Sequence, residues 1–286
     1  MKLLTESSWW VLWEPLYFKK FGKYADEISA AWFWARIKKR STSLGYPEGG
    51  YIAFSESIQK KAEGYGVNFI FNSKVSKMYR TNNKIKVATD KSEEVFDKVI
   101  CTVPNHIFSE ITQGLTDSYL KQLQGSKSLG AVNMVLSLNK KLLTDNTYWM
   151  NANDMDIPFL AVVEHTNFID KGNYNNENIV YVGNYLDKKD KLYEMTDSKL
   201  YELYEPLIKR INDKFDKSWV NRFFVFRTPF AQPVVTVNYS KKILPFETPV
   251  KDVYLCNMQQ VYPWDRGTNY AVEMGEKVAR LIMENK

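Results

Sequence analysis

Apolar residues recur along this chain with two periods, and the changes between them divide it into segments. The run Val253-Tyr254-Leu255-Cys256 is unbroken and apolar, which predicts a short buried strand. A polar and aromatic stretch, residues 257–269, follows it. Then Ala271, Gly275, Val278, Ala279 and Ile282 recur at helical spacing. The small residues among them would let that helix lie close to something flat. Thr268 or Asn269 suits its N-cap. The first-turn amides are then aimed at whatever precedes the helix, an arrangement suited to an anion or an electron-rich ring edge.

Residues 46–107 read as one continuous unit. Residues 46–51 form a turn in which Gly49 and Gly50 permit backbone angles other residues avoid. A helix follows with Ile52, Ser55, Ile58 and Ala62 on its stripe, and Gly64 and Gly66 end it. Residues 67–71 and 74–79 predict strands. Residues 84–89 pair back across Asn82-Asn83, and 96–104 is a last strand ended by Pro104.

Residues 1–45 are aromatic and helical. Trp9, Trp10, Trp13, Trp32 and Trp34 lie here, with a Pro15-led turn, a Gly22 stop and a second helix over 26–39. Arg36, Lys38, Lys39 and Arg40 crowd the end of that helix, where cations suit its dipole. Three readings stay open: a packed helical layer of a substrate domain, a Trp/Lys belt at a membrane surface, or a partner-binding face. In residues 108–249, 131–138 alternate with period two. Segments 147–150, 159–165, 179–185 and 219–227 add strands. A long helix over 197–215 carries Leu200, Leu203, Tyr204, Leu207, Ile208, Ile211 and Phe215 on one stripe, capped at the Asp197 side. This predicts an antiparallel sheet backed by a helix. No internal repeat or low-complexity tract occurs.

The 44% hydrophobic content and thinly spread net charge of +6 fit an ordinary globular chain and demand no nucleic acid or acidic lipid. Cys101 and Cys256 are isolated, each in a predicted buried strand, so neither a disulfide nor a metal site is expected; His106 and His165 are isolated too. No run reaches the roughly twenty apolar residues of a spanning helix. Glu6 and the tryptophans stand where a signal peptide would need an apolar core. The expectation is a cytoplasmic protein, with peripheral contact to the inner face of the membrane left open.

Three features together carry a resemblance. They are the strand with Asp265-Arg266-Gly267-Thr268-Asn269-Tyr270-Ala271 and its small-residue helix, the glycine pair with helix and strands of 46–107, and the Val99-Ile100-Cys101-Thr102-Val103-Pro104 end. In this order they resemble the FAD-dependent amine oxidase, protoporphyrinogen oxidase and phytoene desaturase superfamily. The resemblance implies an α/β architecture: an incomplete Rossmann-like FAD-binding domain plus an α+β substrate domain. It divides the chain into substrate-domain helices (1–45), an FAD segment (46–107), substrate sheet and helix (108–249) and a closing FAD segment (250–286). The family's G-x-G-x-x-G strand would stand upstream of residue 1. Gly64-Tyr65-Gly66 follows a helix and is a cap, so the adenine-diphosphate cradle is expected to be absent from this chain.

The resemblance further implies FAD as cofactor. The Val75 backbone would meet the adenine, and Thr102 and Pro104 would line the adenosine side. Met258, Trp264, Asp265, Arg266, Gly267, Thr268, Asn269 and Ala271 would approach the pyrophosphate and flavin. Val75 reads equally as a plain core strand residue. Arg266 reads either as a phosphate or flavin contact or as half of a surface pair with Asp265. Asn257-Met258 stands where many relatives place Gly-Asp or Gly-Glu. Substrate-binding candidates are Trp32, Arg36, Gly49, Gly50, His165 and Asn167. No catalytic side chain is assigned, because flavin chemistry needs position and electrostatics more than a nucleophile. The expected function is dehydrogenation of an apolar or amphipathic small molecule by hydride transfer to flavin N5. The alternative is a non-catalytic remnant or interaction module, with exposed strand edges. It would pair with a separate nucleotide-binding segment or with a second copy.

Overall fold

The structure is a computed structural model that describes residues 6–39 and 41–284; Arg40 lies outside them. The chain gathers into two units, Met1–Ala30 with Lys127–Val237 and Ala31–Ser126 with Asn238–Lys286. Its strands are β1 (Val75–Thr81), β2 (Lys84–Thr89), β3 (Glu93–Phe96), β4 (Val99–Cys101), β5 (Ser128–Leu138), β6 (Trp149–Asn151), β7 (Ala161–Glu164), β8 (Asn178–Leu186), β9 (Val220–Pro233) and β10 (Val253–Leu255). Helices, two antiparallel sheets and one parallel strand pair give the α/β and α+β class that the sequence implies.

The first unit is built on a five-stranded antiparallel sheet in the order β6-β7-β8-β5-β9. Period-two alternation on β5 puts Val132, Met134, Leu136 and Leu138 on one face. There they meet Leu200, Tyr204 and Ile208 of the helix Asp197–Ile211. Each such side chain contributes about 1.5–3 kcal/mol when fully buried. The helix is capped by the Thr196 hydroxyl, which accepts from the Lys199 N–H at 3.4 Å. Asp197, the expected cap, pairs instead with Arg227 at 2.7 Å. Strand β9 outruns its expected end at 227, because a bulge in β9 places residues 229–231 opposite Gly130 of β5 and pairing resumes at Gln232.

Two helical stretches of residues 1–39 behave differently. Glu14–Phe21 begins with Pro15 in its first turn and stops at Gly22, whose φ of +53° suits glycine. Lys19 Nζ donates to the Ile157 and Phe159 carbonyls at 2.7 and 3.3 Å, and burial lowers its pKa. The single helix expected over 26–39 is broken. Ile28 turns extended and bridges to Thr236, and the Ser29 N–H donates to the Val235 carbonyl at 2.8 Å. The helix proper is Ala30–Lys38.

The second unit contains an antiparallel sheet β1-β2-β3 and a parallel pair β4–β10. Asn82 and Asn83 turn the β1–β2 hairpin with φ of +46° and +63°, the two-residue geometry that matches strand twist. The strand expected over 96–104 is two strands. The chain breaks at Asp97-Lys98, so that Phe96 finishes β3 beside Ile85 while Val99 starts β4 beside Val253. Met78, Ile85, Phe108, Leu123 and Leu255 are the buried centre.

Three apolar stretches pack differently from what the sequence suggests. Residues 67–71 form no strand, and Phe69 and Phe71 stack on each other at 5.9 Å in an exposed position. The helix Gly50–Glu63 buries no residue, and Ile52 on its predicted stripe is 76% exposed. The closing helix, Thr268–Glu284, buries Met274 and Val278 against Tyr254, Cys256 and Val261. Its small residues Ala271, Gly275 and Ala279 lie on the exposed side, since the larger side chains take the core-facing stripe. Ile52→Glu should therefore change stability by less than about 0.5 kcal/mol in denaturant unfolding; a loss of several kcal/mol would show that this helix packs inside.

Candidate functional site

The ends of β4 and β10 carry a network of side-chain amides. In parallel sheets, ligands gather beyond the carboxyl ends of the strands. Asn257, 7% exposed, follows β10 there. Its side-chain amide donates to the Val103 carbonyl at 2.9 Å and to Asn105 Oδ1 at 2.8 Å, while its Oδ1 accepts the Gln259 N–H at 2.9 Å. Gln260 Oε1 returns to the Asn257 N–H at 2.8 Å, completing a capping box. Gln259 Oε1 takes the Asn105 N–H at 2.8 Å, and Asn105 donates to Ser126 Oγ at 2.8 Å. The loop 102–104 and the turn Met258–Gln260 are thereby tied together by side-chain amides. Tyr239 donates to the Gln259 carbonyl at 2.7 Å, and burial pushes its hydroxyl up to about 12, so it stays neutral.

The next turn is pinned from the helix Ala30–Lys38 and the residue after it. Arg36 forms an ion pair with Asp265. Trp34 and Trp264 lie 6.5 Å apart by ring centroids, and Lys39 Nζ is 5.1 Å from the Trp264 ring. The Tyr262–Pro263 bond is cis. Gly267, not Thr268 or Asn269, caps the closing helix: its carbonyl accepts the Ala271 N–H at 3.0 Å, and Thr268 and Asn269 are already helical. A Cβ at Gly267 would come within 2.7 Å of Asn269 Oδ1, so glycine lets that side chain fold back. The first-turn amides of this helix have no intrahelical acceptor and carry its positive dipole end.

The remaining sequence candidates are spread over both units. The Val75 side chain packs in the core cluster that also holds Val99 and Val103. Thr102 is exposed, Pro104 precedes the helix Asn105–Ile111, and Met258 is half-buried at the start of its turn. Trp32 is buried with the Arg36 guanidinium 5.3 Å from its ring. Gly49 and Gly50 have φ of +73° and +82°, and a Cβ at Gly49 would lie 2.8 Å from Ala53 Cβ. Gly64 and Gly66 donate to Lys60 and Glu63 carbonyls at 3.2 and 2.9 Å, closing their helix as its sequence predicts. His165 and Asn167 belong to the first unit. His165 is buried with Nε2 2.8 Å from Tyr174 Oη, and burial lowers its pKa. Asn167 donates to the Leu143 and Thr147 carbonyls at 2.8 and 3.0 Å. Both hold their loop. Sequence reasoning missed Asn105 and Gln259, although the Asn257-x-x-Gln260 capping pattern pointed at this turn.

Cys101 and Cys256 are free and buried, and burial raises both thiols. Among the described residues no cluster of metal ligands occurs, and no helix is long and apolar enough to cross a membrane.

The family described as flavin containing amine oxidoreductase matches residues 8–283, and the chain belongs to it. Similar solved structures include a putative protoporphyrinogen oxidase from Exiguobacterium sp. 255-15, at 14% identity and a TM-score of 0.70, with 94% of this chain and 59% of that one covered. An oxidoreductase from Methanosarcina mazei gives 15% identity and 0.66, with 87% and 59% covered. Putrescine oxidase, in a structure bound to putrescine, gives 13% and 0.62, with 79% and 51% covered. The chain thus spans between about half and three fifths of the length of these structures. No curated protein matches it.

FAD is the cofactor of this family. The donor set described above suits its flavin and pyrophosphate end: open helix amides, a half-buried Arg266 beside them and a turn fixed by Arg36 and Trp34. The residues that would hold it there are Met258, Trp264, Arg266, Thr268 and Asn269.

Proposed function

We propose that this chain forms part of a FAD-dependent oxidoreductase that dehydrogenates an apolar or amphipathic small molecule. The observation that carries this reading is that Met258 of the amide-tied turn, Trp264 of the pinned turn and Tyr270 of the first helical turn pack against one buried cluster. Bound FAD supplies the hydride acceptor, its N5. The chain's own part is positional and electrostatic. Asn257, Asn105 and Gln259 keep the loops at a fixed distance, and Arg36 holds Asp265 so that Trp264 and Arg266 stay beside the helix start. Donors fixed in advance stabilise developing negative charge without reorganising. Amine, porphyrinogen and polyprenoid or carotenoid substrates all fall within this class.

A second reading has its own support. The bare helix Gly50–Glu63, the exposed Phe69 and Phe71, and Ile100 of β4, 42% exposed, suit an interaction module that docks a separate nucleotide-binding segment or a second copy. Exposed Trp10, Val11, Leu12 and Phe18 would suit peripheral membrane contact, and the reduced thiols a cytoplasmic setting.

Flavin absorbance separates the readings. The chain is purified alone, and with a second polypeptide bearing a strand, a G-x-G-x-x-G turn and a helix, each in FAD. We expect little colour alone and near-stoichiometric flavin with the second polypeptide. A complex that forms but stays colourless supports the interaction module and overturns the enzyme.

A further inference from the structure

Strand β9 is an outer strand of the five-stranded sheet and pairs with β5 on one side. Among the described residues, no backbone group of 222–228 is bonded on the side away from β5. Every second residue of an antiparallel edge strand turns both its N–H and its C=O outward. Sheet edges are commonly blunted by lysine, proline, a bulge or sheer shortness. The opposite edge of this sheet, β6, is 3 residues long. In β9 the irregularities fall outside the open stretch: the register steps at Asn221 and again over 229–231. Between these steps residues 222–228 run in unbroken register, with no lysine or proline among them.

The side chains of this stretch suit a copy of itself. Phe223, Val225 and Arg227 lie on the face covered by the helix Asp197–Ile211. Phe224 and Phe226, 50% and 61% exposed, stand on the other face. A two-fold axis normal to the sheet keeps each face on its own side, so only residues of like parity can oppose one another. The midpoint of the stretch is Val225. An axis there sets Phe224 against Phe226 of the second copy, and Phe226 against Phe224. Ring then meets ring twice, the pairing that stabilises neighbouring strands. Charge raises no obstacle. Arg222 is paired with Glu177 and Arg227 with Asp197, and across the axis they would meet Thr228 and Phe223 of the copy.

We propose that two copies of this chain join edge to edge through β9, antiparallel about Val225, into one continuous sheet. The arrangement closes on itself, because the edges left outside are the two short β6 strands. It goes beyond the oxidoreductase reading and needs neither FAD nor substrate. The contact is one strand wide, at the small end of specific interfaces, so the dimer depends on concentration.

Sedimentation velocity of the full chain, without FAD, reads the oligomer. We expect mostly monomer at about 1 μM and mostly dimer at about 200 μM. Phe224→Lys with Phe226→Lys should weaken the dimer at least about tenfold, since each added charge faces its like across the axis. Both positions are exposed, so circular dichroism should not change. Ile52→Glu, in the other unit, should leave the dimer intact. Cysteines read the register. Opposed residues lie about 4.5–5.5 Å apart, within reach of a disulfide; residue 224 and its own copy lie about 8 Å apart, beyond it. Under a mild oxidant, an equimolar mixture of Phe224→Cys and Phe226→Cys should cross-link into mixed dimers, and neither variant alone should. Native Cys101 and Cys256 are buried and stay out of the reaction. Monomer up to about 200 μM, a dimer indifferent to the two lysines, or equal cross-linking of each single variant overturns the proposal. So does a second polypeptide whose binding protects these cysteines, which would assign the edge to that polypeptide.

Discussion

Asn257→Ala is expected to destabilise the second unit by about 3 kcal/mol or more in denaturant unfolding. The wild-type side chain satisfies three groups at once: the Val103 carbonyl, Asn105 Oδ1 and the Gln259 N–H. Truncation leaves these without a partner where water enters poorly, and each buried orphan costs about 1–3 kcal/mol. Gln259→Ala makes the contrast. It orphans one group, the Asn105 N–H, in place of three, and should cost about 1 kcal/mol. Equal, small losses for the two variants would show that the amide network does not organise the strand ends.

The second large effect is expected in the first unit, at Glu164. Its carboxylate is fully buried and accepts the Leu142 N–H at 3.3 Å and the Leu143 N–H. Glu164→Leu should cost about 2–5 kcal/mol, because two backbone amides lose their acceptor inside the protein. The charge also sets a pH dependence. Burial raises the Glu164 pKa above its ordinary 4.5, against the pull of the two amides. An acid that holds its proton longer when folded contributes stability that is complete below its unfolded value. That contribution is lost as pH rises through the folded value. Wild-type stability should therefore fall from pH 4.5 upward and then level, and Glu164→Gln should remove this component. A pH profile identical in wild type and Gln variant would sink the assignment.

The fold was legible wherever a segment's own neighbours decide its state. The alternation of 131–138 gives β5, the stripe through Leu200, Tyr204 and Ile208 gives the backing helix, and Asn82-Asn83 gives the hairpin. It was illegible wherever distant partners decide. Residues 67–71 are as apolar as any strand but lack a pairing edge among the described residues. Ile28 leaves a plausible helix because Thr236, far along the chain, offers a bridge. The small stripe of the closing helix looked like its contact face, yet Met274 and Val278 bury more area and win. The candidate site followed the same division. Residues 264–269 stood out by their local pattern, whereas Asn105, paired with Asn257 across 152 positions, carries no local signal.

The chain passes between its two units at 30/31, 126/127 and 237/238. Neither unit can therefore be excised as one uninterrupted reading frame. During synthesis the Glu14–Phe21 helix must leave the ribosome long before β8, the strand it packs against, exists. The nascent aromatic segment then waits, with its docking strand unmade, until β8 has been synthesised, the interval in which a holding chaperone would be of most use.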